Sequence, residues 1–217
     1  SHFRTFALSH FRTFALRTPM SPRPRSTSDE EILAAAARAV RSTGPELTLA
    51  NVGNEAGVSP AGLVQRFGSK RELLLALAEQ AASATPGHFA AARELHASAL
   101  DALLHALSAV AREIDTPVAM ANHLAFLHAN LHDAEFHAFA LNDARTTLGE
   151  IQALLREAVQ AGELRECDAG DLSRTVQTAY RGALSTWAIY RSGTLEDWLR
   201  GEVEAVLEPY RPPSQLV

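Results

Sequence analysis

Several features that mark other classes of protein are scarce in this chain. A single cysteine, Cys167, excludes an internal disulfide and is typical of a protein in a reducing cytoplasm. No apolar run approaches the roughly 20 residues that a helix needs to cross a bilayer, and no secretory signal pattern occurs. Nucleophile elbows, phosphate-cradling glycine loops and dinucleotide fingerprints are also missing. The sequence therefore predicts a cytoplasmic protein that is not an enzyme, needs no cofactor and does not bind a membrane.

Valine and isoleucine are sparse beside alanine and leucine, and no stretch alternates in the way a strand does. Helix signals recur instead, as capping residues at the starts and glycines or prolines at the ends. They predict an all-α fold of about nine helices, with Pro86-Gly87 interrupting or kinking the fourth. The predicted helix starts lie at Thr27 or Ser28, Thr48, Ser59, Ser69, Ala97, Thr116, Asp133, Asp168 and Thr194.

The first sixteen residues are one octapeptide, SHFRTFAL, written twice. A perfect tandem octad beside a non-repetitive chain is not typical of a solenoid. We interpret residues 1–19 as vector-derived, with Met20 as the native start; a functional arm is the alternative. Residues 1–25 are expected to form a disordered tail. Arg25, in its basic proline-containing part, could reach DNA, or the tail could simply be solvated.

Residues 48–71 have the pattern of two short helices joined by a tight turn and followed by a capped third helix. Gly57 supplies the left-handed conformation that ends the first of them. Ser59-Pro60 then places a capping serine before a proline at the first helical position. The second helix, from Pro60 to about Phe67, is expected to bury Leu63, Val64 and Phe67. This is the pattern of a helix-turn-helix, whose slim and polar outer face suits the DNA major groove.

Four features of residues 32–77 occur together in one known family. They are the apolar stripe from Ile32 to Val40, Gly44, the run A-G-V-S at 56–59, and L-V-Q-R-F-G-S-K at 63–70. This segment resembles the DNA-binding domain of the tetracycline-repressor (TetR) family of bacterial transcription regulators. Val64 stands where that family usually has a tyrosine that touches a phosphate, and Arg66 where it often has histidine. The resemblance implies a three-helix DNA-binding head, residues 26–72, on a larger helical body, residues 73–217, which binds a ligand and dimerises.

The predicted DNA contacts lie in and around the helix-turn-helix. Gln65 suits adenine, and Arg66 suits guanine or phosphate. Helix N-termini and Lys70, the only lysine in the chain, suit phosphates. Residues 1–72 hold 10 Arg and Lys against 6 Asp and Glu, whereas the rest of the chain holds 10 against 19, so the positive excess lies with the head. The full predicted set is Arg25, Thr48, Ser59, Pro60, Ala61, Gly62, Gln65, Arg66, Ser69 and Lys70.

The resemblance also implies that the last two long helices of each protomer form a four-helix bundle in a homodimer. Small residues at helical spacing permit such close helix approach, although they could also pack within one chain. A two-fold dimer would place two recognition helices about 34 Å apart and read a palindrome in double-stranded DNA. The predicted interface is Ala179, Gly182, Ala183, Thr186, Trp187, Leu199 and Val203.

Regulators of this family enclose a small molecule among the body helices, and its binding changes the separation of the two heads. The implied function is a ligand-responsive regulator, most often a repressor, that leaves its operator when an unidentified effector binds. Each residue predicted to line the pocket could equally belong to the core or the surface. They are Leu104, Leu107, Phe126, Leu127, Asn130, Phe139, Arg174 and Gln177.

Seven of the nine histidines lie in the body, which leaves a helical metal-binding bundle as the alternative function. His128 and His132 are four residues apart, a spacing that can hold Zn²⁺ on one helix face. No Cys, Asp or Glu completes a recognisable ligand set, and the paired Glu-x-x-His motifs of di-metal bundles are missing. We therefore predict no metal site. A helical interaction module with a decayed helix-turn-helix is a third possibility.

Overall fold

A computed structural model describes residues 27–213, which contain nine α-helices and no β-strand. The prediction of an all-α fold is confirmed. Three short 3-10 helices, Gly44–Glu46, Ser108–Arg112 and Glu208–Tyr210, follow α1, α5 and α9. The α-helices are α1 Asp29–Thr43, α2 Leu49–Ala56, α3 Pro60–Phe67, α4 Lys70–Leu95, α5 Ala99–Leu107, α6 Pro117–Asn130, α7 Ala134–Gln160, α8 Ala169–Tyr190 and α9 Leu195–Leu207.

Helix α1 begins with a capping box that settles the ambiguity between Thr27 and Ser28. The Ser28 hydroxyl accepts a hydrogen bond from the amide of Glu31 at 3.1 Å, and the Glu31 carboxylate accepts one from the amide of Ser28 at 2.7 Å. These bonds satisfy two donors that a helix start leaves without a partner. Ser28 is thus the N-cap.

Two features of the body differ from the sequence predictions. Helix α4 continues from Lys70 to Leu95 without interruption at Pro86-Gly87, because packing of this segment against the body core, through residues such as Phe89, outweighs the cost of an internal proline. The helix predicted from Ala97 to Ile114 is shorter, and its second half is the 3-10 helix Ser108–Arg112.

The head core is formed mainly by α1 to α4, and α7 contributes one of its buried side chains. Ile32, Val52, Leu63 and Leu73 are fully buried in it. Phe136, from the first turn of α7, belongs to the same cluster. The apolar stripe that the sequence predicts for α1 therefore packs inward, as its helical spacing requires.

The body holds two further clusters. The larger joins α4, α5, α7, α8 and α9 around side chains such as Leu103, Leu154 and Val176. The smaller lies where α6, α8 and α9 meet and contains Trp187, which is 2% exposed. Within residues 27–213, no helix has the length and hydropathy required to span a membrane.

Polar contacts attach the head to the body at two places, the last turn of α1 and the first turn of α4. The Asn122 side-chain amide, on α6, donates to the carbonyl of Arg41 at 2.9 Å and to that of Ser42 at 3.1 Å. These carbonyls lie in the last turn of α1, where a helix lacks internal donors. Arg71, on α4, donates two hydrogen bonds to Asp133, at 2.8 and 2.9 Å, at the start of α7. The last turn of α1 and the first turn of α4 are therefore held by body residues.

Candidate nucleic-acid interface

The turn between α2 and α3 depends on a close approach of two backbone segments. The Val58 amide donates to the carbonyl of Gly53 at 3.0 Å, and Gly57 adopts the left-handed conformation with φ 68°. A Cβ atom on Gly53 would lie 2.5 Å from the carbonyl oxygen of Val58, nearer than such atoms approach in proteins. Glycine is therefore required at position 53. This requirement was not predicted from the sequence, although a glycine inside a helical pattern is a recognised signal of close packing.

Three helix starts at this site have side-chain caps. The hydroxyls of Thr48, Ser59 and Ser69 accept hydrogen bonds from the amides of the residues three positions on, at 3.1 to 3.2 Å. The hydroxyls therefore stabilise the helices that carry the interface. The contacts of these three residues with phosphates remain a prediction. The DNA contacts of Pro60, Ala61 and Gly62 also remain a prediction.

Helix α3 presents a narrow exposed face. Leu63 is fully buried and Phe67 is half-buried, four positions apart on the inner side. The prediction that Val64 is buried was wrong: this side chain is 43% exposed. One residue past Leu63, it lies about 100° around the helix axis and so falls outside the buried stripe. The exposed residues of α3 are Pro60, Ala61, Val64, Gln65 and Arg66.

Arg66 is the one predicted base-reading residue with charged partners inside the described part of the chain. Its guanidinium forms an ion pair with Asp29 and donates to the carbonyl of Thr27, both at the start of α1. A contact between Arg66 and guanine would therefore require these bonds to open. Gln65 and Lys70 are exposed, and Arg25 lies outside the described residues.

A cavity of about 270 Å³ lies between α1, α4, α6 and α7, at the junction of head and body. It brings together four of the eight residues predicted to line a ligand pocket: Phe126, Leu127, Asn130 and Phe139. Phe136, Leu77 and several alanines, which the sequence analysis did not propose, complete its apolar wall.

The other four predicted pocket residues lie elsewhere. Leu104 is buried in the larger body core, and Leu107 lines a neighbouring cavity of about 180 Å³. Arg174 is exposed on α8 and pairs with Asp171, and Gln177 donates to the carbonyl of Ala144 at 2.7 Å. Helical spacing alone could not tell these positions from the pocket wall, because the wall depends on which helices are neighbours.

The wall also carries two ion pairs. Arg41 lies 3.2 Å from Glu113, and Arg181 lies 2.8 Å from Asp143. The second Asp143 oxygen accepts a hydrogen bond from the Thr85 hydroxyl at 2.6 Å.

His123 lines the same cavity without a carboxylate partner in the described part of the chain. Burial lowers its pKa, and the positive charges of Arg41 and Arg181 lower it further, against a weaker opposing effect of Glu113. These surroundings favour the neutral imidazole beside the two guanidinium groups.

The seven predicted dimer-interface residues divide between two sides of α8 and α9. Gly182 is exposed, and Ala179 and Thr186 are half-buried on the same side of α8. Ala183, Trp187, Leu199 and Val203 are at most 2% exposed and pack within this single chain, so their assignment to an interface is corrected. The outward side instead adds Ile189 and Tyr190, which are 74% and 69% exposed.

His128 and His132 do not share a helix face, because α6 ends at Asn130 and His132 lies in the following turn. Between Thr27 and Pro213, no three His, Cys, Asp or Glu side chains come together in a metal-binding arrangement.

Comparison with known proteins agrees with this geometry. Residues 32–77 match the family model described as bacterial regulatory proteins, tetR family. No curated protein sequence matches the chain.

Solved structures extend the similarity beyond the head. A TetR transcription regulator from Haloarcula marismortui is 17% identical, with a TM-score of 0.70 over 85% of this chain and 98% of that one. A Rhodococcus sp. protein assigned to the TetR family is 26% identical, with a TM-score of 0.59 over 82% and 98%. FadR of Bacillus subtilis, solved with stearoyl-CoA, is 16% identical, with a TM-score of 0.60 over 83% and 98%. Residues 32–77 thus match the helix-turn-helix model of the tetR family, and the chain shares the fold of solved TetR-family regulators.

Proposed function

We propose that this regulator is a ligand-responsive repressor, which binds a palindromic operator as a homodimer and leaves it when a small molecule occupies the body. The observation that carries the proposal is the exposed face of α3. Its small and polar residues are supported from behind by buried Leu63 and by the tight turn at Gly53. A rigid helix with a narrow outer face is what the major groove admits.

The homodimer rests on the outward side of α8 and α9. Gly182 and Gly201 are exposed, and no atom lies within 4 Å of a Cβ built on either one. Ile189 and Tyr190 provide exposed apolar area at the C-terminal end of α8. Small residues that permit close helix approach, beside large exposed apolar residues, are typical of a surface that another helix pair covers. A two-fold dimer also doubles the DNA contacts of one weakly binding head.

Ligand response rests on the position of the cavity. Its wall includes Val40 and Arg41 from the head together with α6 and α7 from the body. An occupant would therefore touch both parts and could shift the head relative to the body. FadR of Bacillus subtilis, with its stearoyl-CoA, is a structural neighbour in which a small molecule is bound. Repression needs only that the bound dimer covers a promoter, with no separate surface for RNA polymerase.

Selection from a randomised duplex library tests the proposal. The purified protein is incubated with the library at low salt without ligand, and the retained DNA is sequenced. We expect an enriched palindrome with two equivalent half-sites. Enrichment of a single half-site would contradict the dimer, and no enrichment would contradict DNA recognition itself.

Two substitutions separate the roles of the exposed polar residues. Lys70→Ala should weaken binding to operator and scrambled DNA about equally and reduce the salt dependence by about one charge, because a phosphate contact carries no sequence information. Gln65→Ala should instead lose discrimination at particular base pairs, by about 1–3 kcal/mol each. Fluorescence anisotropy titrations on matched and scrambled duplexes measure both. If the two variants behaved alike on both duplexes, these roles would be wrong.

A further inference from the structure

We infer that the effector is a small organic acid, with its apolar part in the 270 Å³ cavity and its carboxylate held by Arg181, Arg41 and His123. This inference rests on the proposed ligand-responsive function and adds the chemical class of the ligand. It also places the acid group at the junction of head and body.

The apolar wall sets the size and character of the tail. A cavity of about 150 Å³ accommodates benzene, so 270 Å³ corresponds to about ten to twelve non-hydrogen atoms. Phe126, Phe136 and Phe139 contribute three aromatic rings to this wall. Such a surface favours an aryl or alkyl group over a sugar or a nucleotide.

The polar end of the cavity has more hydrogen-bond donors than the chain uses. A guanidinium carries five N–H donors. Within residues 27–213, Arg181 donates one hydrogen bond, to Asp143, and Arg41 donates one, to Glu113. The remaining donors of two cations are available to an acceptor with several lone pairs, which is the character of a carboxylate.

The acidic side chains, in contrast, are already engaged. One Asp143 oxygen accepts from Arg181 and the other from Thr85. Glu113 pairs with Arg41, and its side chain is 64% exposed, so it points largely to solvent. A cationic ligand would compete with Arg181 and Arg41 for these carboxylates, whereas an anion adds bonds to the two guanidinium groups.

His123 can take up a proton when an anion binds beside it. The charged groups around it are Arg41 on α1, Glu113 ahead of α6, Asp143 on α7 and Arg181 on α8, while α4 contributes only apolar side chains to this cavity. A bound carboxylate adds a negative charge beside the imidazole, which raises its pKa and favours the protonated form. Binding of an acid should therefore tighten as pH falls.

The neighbour of His123 connects this site to the DNA-binding head. Asn122 donates to the last carbonyls of α1, and Arg41 belongs to the same turn of α1. An acid that draws Arg41 and His123 together thus acts on the turn of α1 that Asn122 holds. This provides a direct route from the ligand to the orientation of the head.

Three probes of the same shape test the chemical class: 4-phenylbutanoate, 4-phenylbutan-1-ol and 4-phenylbutylamine. Isothermal titration of the full chain should give binding of the acid that is at least about tenfold tighter than that of either other probe, because the acid alone gains charge-assisted hydrogen bonds. Affinity for the acid should rise as pH falls around and below about pH 6.5, and His123→Gln should remove most of this rise.

Arg181→Gln should weaken binding of the acid about tenfold or more and leave the alcohol unchanged. Arg174→Gln is the matched control, because Arg174 lies on the same helix but is exposed and outside the cavity. Thermal unfolding of each variant without ligand identifies any loss of fold. His123→Gln keeps the test decisive if Arg181→Gln unfolds.

Equal binding of the three probes, preference for the amine, or no binding of any probe would overturn the assignment of an acid. Operator binding without ligand is measured in parallel, so that the two proposals can fail separately. Intact DNA binding without acid binding would support the proposed regulator and contradict the acid as its effector. Acid binding without DNA binding would support the acid site and contradict the proposed repressor function.

Discussion

Replacing Gly53 by alanine is expected to abolish specific DNA binding. The added methyl group would lie 2.5 Å from the Val58 carbonyl oxygen, so the turn between α2 and α3 must open. Overpacking of this kind costs about 1–3 kcal/mol of stability, and more where the clash is with backbone. Because that turn sets the angle between α2 and α3, the exposed face of α3 would no longer fit the major groove.

Gly149→Ala is the matched control for this change. Gly149 also lies within a helix, but no atom lies within 4 Å of a Cβ built there. Alanine at this position should stabilise the protein by about 0.5–1 kcal/mol and leave operator binding unchanged. Urea unfolding and anisotropy titrations measure both variants. Operator binding of Gly53→Ala at the level of Gly149→Ala would show that the turn does not need this close approach.

Gly182→Arg should convert the proposed dimer to monomers and weaken operator binding about a hundredfold or more, because a monomer contacts only one half-site. The protomer itself should fold normally. Gly182 is exposed, and the space around it within one chain is open, so the arginine clashes only with a partner placed against α8.

Gly149→Arg controls for the charge and size of the new side chain, since it too replaces an open glycine within a helix. Light scattering after gel filtration gives the mass of each variant. A Gly182→Arg protein that still has dimer mass would place the interface elsewhere on the molecule.

The sequence predicted most of the helix starts because they depend on local chemistry. Ser59, Ser69 and Asp133 cap helices by bonding to amides two or three residues away, so no knowledge of the fold is needed to recognise them. The same holds for the turn at Gly57, where the required left-handed conformation is a property of one residue.

The predictions that failed concern which elements are neighbours. Ala183 lies on the small-residue stripe of α8, with Trp187 beside it. A periodic pattern cannot say whether such a stripe meets α6 and α9 of its own chain or a second protomer. Leu104 and Phe126 are both apolar residues at helical spacing, yet Leu104 lies in the core and Phe126 lines the cavity. Gly53 was missed for a related reason, because the atom that requires it belongs to Val58 beyond the turn.

The burial of Phe136 in the head core has a consequence for exchanging parts between relatives. This side chain follows the predicted head by more than sixty positions in the chain, yet it packs in the same cluster as Ile32 and Leu63. Arg71 and Asp133 join the same two regions by hydrogen bonds. A chimera that takes only residues 26–72 from this protein would receive a recognition helix without part of its support. Grafting its DNA specificity onto another regulator therefore requires the first turn of α7 to be transferred with the head.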